Sequence, residues 1–244
     1  MACITIYMLG TGNAIHPYRA NSSILLRTSE DLLLVDAGCG AINNIARHGI
    51  DPAVIDVVLV THGHPDHYAG LLHLAFLKTF SNHRSLKIYT TKHASRLIER
   101  LLSSLHKPEK LDIEVNIVEP GETYRINNLI ATVLEARHSV EAVSLEIKYS
   151  SVRILVSGDT SPTQIYKSRA RGADVAIHEA TLPSGMEDIG REIGHTTVRQ
   201  AIDQVREARH KILYHISPES EREAATLGEV LVPSDNYTLE VCKH

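Results

Sequence analysis

The sequence predicts a mixed α and β fold in which β-sheets are covered by helices. Candidate strands come in consecutive runs near each half of the chain and then alternate with segments of helical periodicity, which is typical of this class. The chain has 244 residues, of which 43% are hydrophobic, so it can bury a full core. No low-complexity stretch or linker rich in proline and glycine divides it, and we therefore expect one domain over residues 1–244.

The first half of the chain begins with apolar alternation and short β-rich runs, which indicate strands. These strands are predicted at 4–9, 23–27, 32–36, 55–60, 86–90 and 113–119. Helical periodicity predicts a helix over 68–80 and another over 94–105. The second helix is amphipathic because Leu97, Ile98 and Leu101 fall on one side of it.

The second half of the chain repeats this order of strands followed by a helix. Its strands are predicted at 129–136, 143–149, 152–157, 175–178 and 211–215. A helix starts at residue 195 and runs to about residue 209, with Val198, Ala201, Ile202 and Val205 at helical spacing. The similar order in the two halves indicates an internal pseudo-duplication.

The composition argues against several classes of protein. The net charge is −4, and the chain has no Trp, two Phe and nine Tyr. A generally basic surface and a stacking platform for bases, both typical of nucleic-acid-binding proteins, are therefore not expected. The chain has no long apolar run, and its start lacks the basic segment and cleavage pattern of a signal peptide. We expect a soluble, unexported protein with no membrane partner.

The three cysteines, at positions 3, 39 and 242, are odd in number, widely spaced and outside any Cys-x-x-Cys pair. Neither a disulfide framework nor a thiolate zinc site is expected from this pattern. The cysteine pattern therefore favours a cytoplasmic location.

A cluster of metal-ligand types follows the predicted strand 55–60. His62, His64, Asp66 and His67 place three imidazoles and one carboxylate within six residues. Histidines two residues apart leave an extended loop on the same side, and Asp66 and His67 follow where the chain turns into a helix. The cluster can therefore face two adjacent ions. The alternative is a solvated polar loop with incidental histidines.

The pattern His-x-His-x-Asp-His after a strand resembles the signature of metallo-β-lactamase-fold hydrolases. Farther along the chain the pattern of that family is matched by His138, by Asp159 in Ser-Gly-Asp-Thr and by His215, each at a predicted strand end. The match covers nearly the whole chain in the correct order. The resemblance implies an α/β fold of the αββα sandwich type, with two β-sheets flanked by helices.

The resemblance also implies a centre with two metal ions. The implied ligands form two groups that share one bridging residue: His62, His64 and His138 in the first, Asp66, His67 and His215 in the second, and Asp159 between them. Imidazole and carboxylate donors suit zinc, and manganese or iron are alternatives. Two divalent ions would activate a bridging water to hydroxide near neutral pH.

Two further motifs, at 176–181 and 194–197, resemble those of tRNase Z and its phosphodiesterase relatives. In that group a Glu after a strand orients a His at a helix start, which implies catalytic roles for Glu179 and His195, beside Asp66. A carboxylate partner would raise the pKa of the imidazole, as a general acid requires. The alternative is that His195 only lies near a helix N-cap. Asp36, in a motif for a buried Asp, is expected to support the metal loop and not to bind metal.

The sequence departs from tRNase Z in ways that bear on its substrate. Pro65 stands where the second spacer is usually Gly, and twenty residues between His138 and Asp159 leave no room for the arm that grips tRNA. These departures favour a small or accessible phosphodiester, or an RNA 3′ end, over whole tRNA. Two other hypotheses stay open: a hydrolase of thioesters, lactones or other carbonyl substrates, and a non-catalytic metal-binding relative. Relatives in this group often form dimers, and the sequence leaves open whether this chain forms a homodimer.

Overall fold

The computed structural model describes residues 2–105 and 111–243, and two β-sheets form the centre of it. In these ranges the first sheet has the strand order β13-β1-β2-β3-β4-β5-β6. Its strands are β1 (Ala2–Gly10), β2 (Ser23–Arg27), β3 (Leu32–Val35), β4 (Val57–Val60), β5 (Ser85–Thr90), β6 (Asp112–Ile117) and β13 (Tyr237–Lys243).

The second sheet has the order β12-β11-β10-β9-β8-β7 over the same described ranges. Its strands are β7 (Thr123–Ile126), β8 (Leu129–Glu135), β9 (Val143–Tyr149), β10 (Val152–Val156), β11 (Val175–Glu179) and β12 (His210–Tyr214). Strands β3 to β6 run parallel to one another, and so do β10 to β12, whereas the remaining pairs are antiparallel. The loops after the parallel strands of each sheet therefore leave from one edge.

The helices cover the outer faces of the two sheets. Buried aliphatic side chains from both sheets form one cluster between them, as the alternating burial of Ile4, Ile6 and Met8 illustrates. A second cluster joins the first sheet to α1 (Ala41–Arg47), α3 (Gly70–Thr79) and α4 (Lys92–Ser103). A third joins the second sheet to α5 (Gln164–Ala170), α7 (Val198–Val205) and α8 (Pro218–Leu227). The layers are thus α, β, β and α, which confirms the predicted class.

The helices differ from their sequence predictions at the ends. The helix predicted over 68–80 is α3 (Gly70–Thr79), and a separate short helix, α2 (Pro65–Tyr68), precedes it. The N–H of Gly70 donates to the carbonyl of Ala37 where α3 begins. The helix predicted from residue 195 begins at Val198, because Thr197 and Gln200 form a capping box. The sequence patterns also missed α1, α2, α5, α6 (Glu187–Ile193), α8, β7 and β13. The missed helices other than α8 are four to seven residues long, too short for a helical period to be read.

The structure contradicts the expectation of no disulfide. Cys3 and Cys242 face each other in the antiparallel pair of β1 and β13 and are joined by a disulfide bond. Their separation of 239 residues along the chain does not matter, because β13 returns to pair with β1. Because a disulfide is present, the cysteines do not favour a cytoplasmic location. Cys39 is exposed and outside any disulfide.

Membrane-spanning segments were sought among the helices of the described ranges. None of those helices combines the length and the apolar character needed to cross a bilayer.

Candidate metal centre

The loop after β4 begins the candidate site. The backbone N–H of Thr61 donates to Asp36 Oδ1 at 2.8 Å, which fixes the start of the loop against the end of β3. His62 forms an antiparallel β-bridge with Ala142, His64 has an extended backbone, and Pro65 then occupies the first turn of α2. Proline is favoured at this position because an N–H in the first turn of a helix has no partner within the helix, so its absence costs nothing. Pro65 thus starts the short helix that carries Asp66 and His67.

The nine residues predicted for the site come together. They lie at the carboxyl ends of β4, β8, β10, β11 and β12 or in the segments that follow, and are His62, His64, Asp66, His67, His138, Asp159, Glu179, His195 and His215.

Three imidazoles form the first group of donors. His64 Nδ1 lies 3.1 Å from His62 Nε2 and 3.0 Å from His138 Nε2. A tetrahedral zinc ion with bonds of about 2.0–2.1 Å holds its nitrogen ligands about 3.3 Å apart. The spacing of the three nitrogens is therefore close to that of zinc ligands.

Asp159 joins this group to a second one. Its Oδ2 lies 3.6 Å from His62 Nε2, 3.4 Å from His67 Nε2 and 3.5 Å from His215 Nε2. Asp66 Oδ2 completes the second group, at 3.5 Å from His67 Nε2 and 3.1 Å from His215 Nε2. One carboxylate oxygen thus faces imidazoles of both groups, as a bridging ligand would.

Buried polar atoms without partners test whether cations fit here. His67 Nε2 and Asp159 Oδ1 are buried and make no hydrogen bond of acceptable geometry. Buried polar groups are rarely left without a partner, because their desolvation is then uncompensated. A divalent cation within each group would satisfy donors of the kind that zinc and similar ions prefer. The residues therefore fit divalent metal ions.

Most of the pKa directions in the site agree with this fit. The exception is His67, because its burial is outweighed by the carboxylates of Asp159 and Asp36, which raise its pKa well above the usual value. Burial, together with the neighbouring imidazole of His67, lowers the pKa of His62 well below its usual value, and burial also lowers the pKa of His64 and His138. These rings are therefore neutral, which is the form that binds metal. Burial opposes ionisation of Asp159, but the imidazoles of His215 and His67 outweigh it and hold the pKa of this carboxyl well below its usual range.

Each of three ligand rings has an outer partner that fixes its orientation. Asp36 Oδ2 lies 2.8 Å from His67 Nδ1, so Asp36 supports the loop without joining either group of donors. Thr61 Oγ1 lies 3.1 Å from His62 Nδ1, and His138 Nδ1 donates to the carbonyl of Gly194 at 2.8 Å. Such partners set the tautomer and the direction of a ligating histidine.

Gly194 has a role that the sequence patterns did not predict. Its φ is +79°, and a Cβ added there would lie 2.4 Å from the Cα of His138. Only glycine allows this close approach, through which the carbonyl of Gly194 reaches His138 Nδ1. The sequence does carry a signal, because Gly194 directly precedes His195 in the motif at 194–197.

His195 and Glu179 form a pair beside the two groups of donors. Glu179 is fully buried, and its Oε1 accepts from His195 Nδ1 at 2.9 Å and from the N–H of Thr196 at 3.1 Å. Burial disfavours the charged imidazole, but the carboxylate of Glu179 outweighs it and raises the pKa of His195 to about 9. The ring of His195 stacks on that of His215, with centroids 5.9 Å apart. A protonated imidazole is thus held next to the two groups of donors.

A cavity of about 830 Å³ opens beside His138 and Gly194. Its walls come from the loop after β8, from Ser161 and Pro162, and from α6, which contributes Arg191. This volume lies within the usual range of small-molecule sites, which is about 300–1,000 Å³.

Comparisons with known proteins place these features in a family. Residues 4–232 match the family model described as anti-Pycsar protein Apyc1. The chain is 26% identical to ribonuclease Z of Thermoplasma acidophilum, over 88% of this chain and 87% of that protein.

Two solved structures share the fold. The metallo-β-lactamase-fold protein YhfI of Bacillus subtilis superimposes with a TM-score of 0.85 at 22% identity, over 99% of this chain and 100% of that one. The short form of human tRNase Z gives a TM-score of 0.80 at 22% identity, over 96% of this chain and 98% of that one. The comparisons confirm the predicted metallo-β-lactamase fold and the predicted likeness to tRNase Z.

Proposed function

The chain belongs to the family described as anti-Pycsar protein Apyc1 and is a metal-dependent hydrolase of the ribonuclease Z type, and from this premise we propose that it cleaves a small or accessible phosphodiester. The observation that carries the proposal is the convergence of two groups of donors on one bridging carboxylate, with a proton donor beside them. The proposed ligands are His62, His64, Asp66, His67, His138, Asp159 and His215.

The proposed reaction divides the work between bound ions and side chains. When bound, two divalent ions supply an activated water and neutralise charge on the phosphate oxygens. His195 donates a proton to the leaving oxygen, and Glu179 holds Nδ1 of His195 so that Nε2 is free to do so. Asp159, through its Oδ2, keeps the two groups of donors in register. Asp66 contributes to catalysis as a metal ligand.

The pair of His195 and Glu179 favours a phosphodiester over a thioester. A ribose alkoxide is a poor leaving group and needs a proton as it departs, whereas a thiolate does not. The buried carboxylate of Glu179 raises the pKa of His195 to about 9, so the imidazole carries such a proton at neutral pH. The thioester in the substrate panel tests this preference.

The size of the cavity supports a small substrate. Its wall includes His138 and Gly194, the residue before His195, so the cavity adjoins the proposed metal centre. The described chain between His138 and Asp159 forms the strands β9 and β10 and their turn, with no additional segment for gripping a large RNA. An RNA 3′ end remains the alternative ligand for the same cavity.

The test combines metal analysis with a panel of substrates. Purified protein is assayed for bound metal and then for turnover of bis(p-nitrophenyl) phosphate, 2′,3′-cyclic nucleotides, precursor tRNA and a thioester. We expect two zinc ions per chain and turnover of the small phosphodiesters. His62→Ala should lose metal and activity together, whereas His83→Ala, which changes an exposed histidine, should keep both. Turnover of the thioester alone would contradict the proposal.

Three further proposals concern the metal ion, the domain organisation and the oligomeric state. We propose zinc as the resident ion because imidazole dominates the donor set, and manganese or iron would be recognised in the metal analysis. We also propose that residues 1–244 form one domain and that the protein forms a homodimer. Light scattering measures the mass in solution, and a single cooperative unfolding transition is expected for one domain.

A further inference from the structure

His215 lies in a backbone conformation that residues with a side chain seldom adopt. Its φ is +47°, and within residues 2–105 and 111–243 only five non-glycine residues have a positive φ. Because this left-handed conformation is disfavoured by the Cβ, contacts around His215 must hold it. The result is that Nε2 of His215 lies 3.1 Å from Asp66 Oδ2 and 3.5 Å from Asp159 Oδ2.

Thr181 contacts His215 at two atoms. Its hydroxyl oxygen lies 2.9 Å from His215 Nδ1, and the hydroxyl donates to the carbonyl oxygen of His215 at 3.1 Å. A hydroxyl has one proton to donate, so a hydroxyl that donates to the carbonyl accepts the proton of Nδ1. Nε2 of His215 then carries a lone pair, which is the form of the ring that binds a cation.

Thr181 is itself held from two sides. Its N–H donates to Glu179 Oε2 at 2.9 Å, and its carbonyl accepts from the hydroxyl of Ser220 at 3.1 Å. The parallel register of β11 and β12 places Glu179 opposite Tyr214, so the residues just after each strand are neighbours. These hydrogen bonds fix the backbone of Thr181, and its side chain therefore keeps its position against His215.

We propose that Thr181 is a positioning residue that maintains the left-handed turn at His215 and directs the Nε2 lone pair between Asp66 and Asp159. Two carboxylate oxygens and a lone pair repel one another unless a cation lies among them. The hydroxyl thus selects the tautomer of His215 that is useful for cation binding. This inference rests on the proposed function, which includes a cation at this group of donors.

The test compares three threonine variants by zinc affinity. Metal-free protein is titrated with zinc against a chromophoric chelator. Thr181→Val, which removes the hydroxyl and keeps the shape, should weaken one zinc site by about 10–100-fold, a loss typical of outer partners of metal ligands. Thr181→Ser should restore the affinity. Thr163→Val removes the side-chain cap of α5, far from His215 in the chain, and should lower the melting temperature without changing zinc affinity.

A second measurement separates failure of this inference from failure of the proposed function. In the zinc-loaded protein the proton on His215 Nδ1 is expected to be protected from exchange with solvent by the Thr181 hydroxyl, and Thr181→Val should make its NMR signal exchange faster. Wild-type zinc affinity and unchanged exchange of this proton in Thr181→Val would overturn the proposal, as would an equal loss of affinity in Thr163→Val. If the wild-type protein binds no zinc, the proposed function fails, whereas zinc binding that is equal in the wild-type protein and Thr181→Val contradicts only the role of Thr181.

Discussion

His195→Ala removes the proposed proton donor and leaves the two groups of metal donors in place. The Nδ1 of His195 lies 2.9 Å from the buried Glu179 Oε1, and the pKa of about 9 keeps the ring protonated at neutral pH. A positioned general acid contributes about 10²–10⁴-fold to a rate. This factor corresponds to about 3–5 kcal/mol of activation free energy. We expect a fall of that size in kcat/KM for phosphodiesters whose leaving group is a ribose alkoxide.

The assay uses the leaving group to isolate the role of His195. p-Nitrophenolate is a stable anion that departs without a proton, so bis(p-nitrophenyl) phosphate should lose far less activity in His195→Ala than a 2′,3′-cyclic nucleotide does. Metal content is measured in the same samples and should equal that of the wild-type protein. His83→Ala is the control, since His83 is exposed on the loop before β5. Equal losses on both substrates, or no loss on either, would refute the assignment.

The pH dependence gives the same prediction a second readout. The reaction requires protonated His195, so kcat/KM for the cyclic nucleotide should fall as the pH rises through about 9, where the imidazole loses its proton. The variant His195→Ala has no proton to lose at this position and should lack that fall. A wild-type decline that persists unchanged in the variant would assign it to another group.

Two further predictions concern the stability of the fold. Reducing the disulfide between Cys3 and Cys242 should lower the free energy of unfolding by up to about 4–5 kcal/mol, since it closes nearly the whole chain into a loop; denaturant titrations with and without reductant measure this difference. Gly194→Ala should destabilise the protein more than Gly172→Ala, because both have positive φ but only at Gly194 would the added Cβ meet His138, at 2.4 Å. Gly172→Ala should lower the free energy of unfolding by only roughly 1–2 kcal/mol, the cost of a left-handed backbone for alanine. Equal melting temperatures for the two variants would contradict this comparison.

Four of the seven candidate donors of the site could be predicted from the sequence because their signal is local. His62, His64, Asp66 and His67 lie within six residues after an apolar strand, and the spacing alone indicates a metal site. His138, Asp159 and His215 lack such a local signal and were identified only through their place in a family pattern. The site assembles because the strand ends that carry them meet at one edge of the two sheets.

Features that depend on register between distant strands could not be predicted in this way. The disulfide requires β13 to pair with β1, and the sequence patterns did not identify β13 as a strand. The contact between Thr181 and His215 requires the parallel register of β11 and β12. The short helix α2 was also missed, because four residues do not reveal a helical period.

Each group of donors draws on both sheets of the sandwich. His62 and His64 follow a strand of the first sheet, whereas His138 follows a strand of the second, and in the other group Asp66 and His67 meet His215 in the same manner. An ion bound in either group would therefore link the two sheets, and its binding free energy would add to the stability of the folded protein. Removal of the metal should let the two sheets separate more easily at this edge than at the opposite edge of the sandwich.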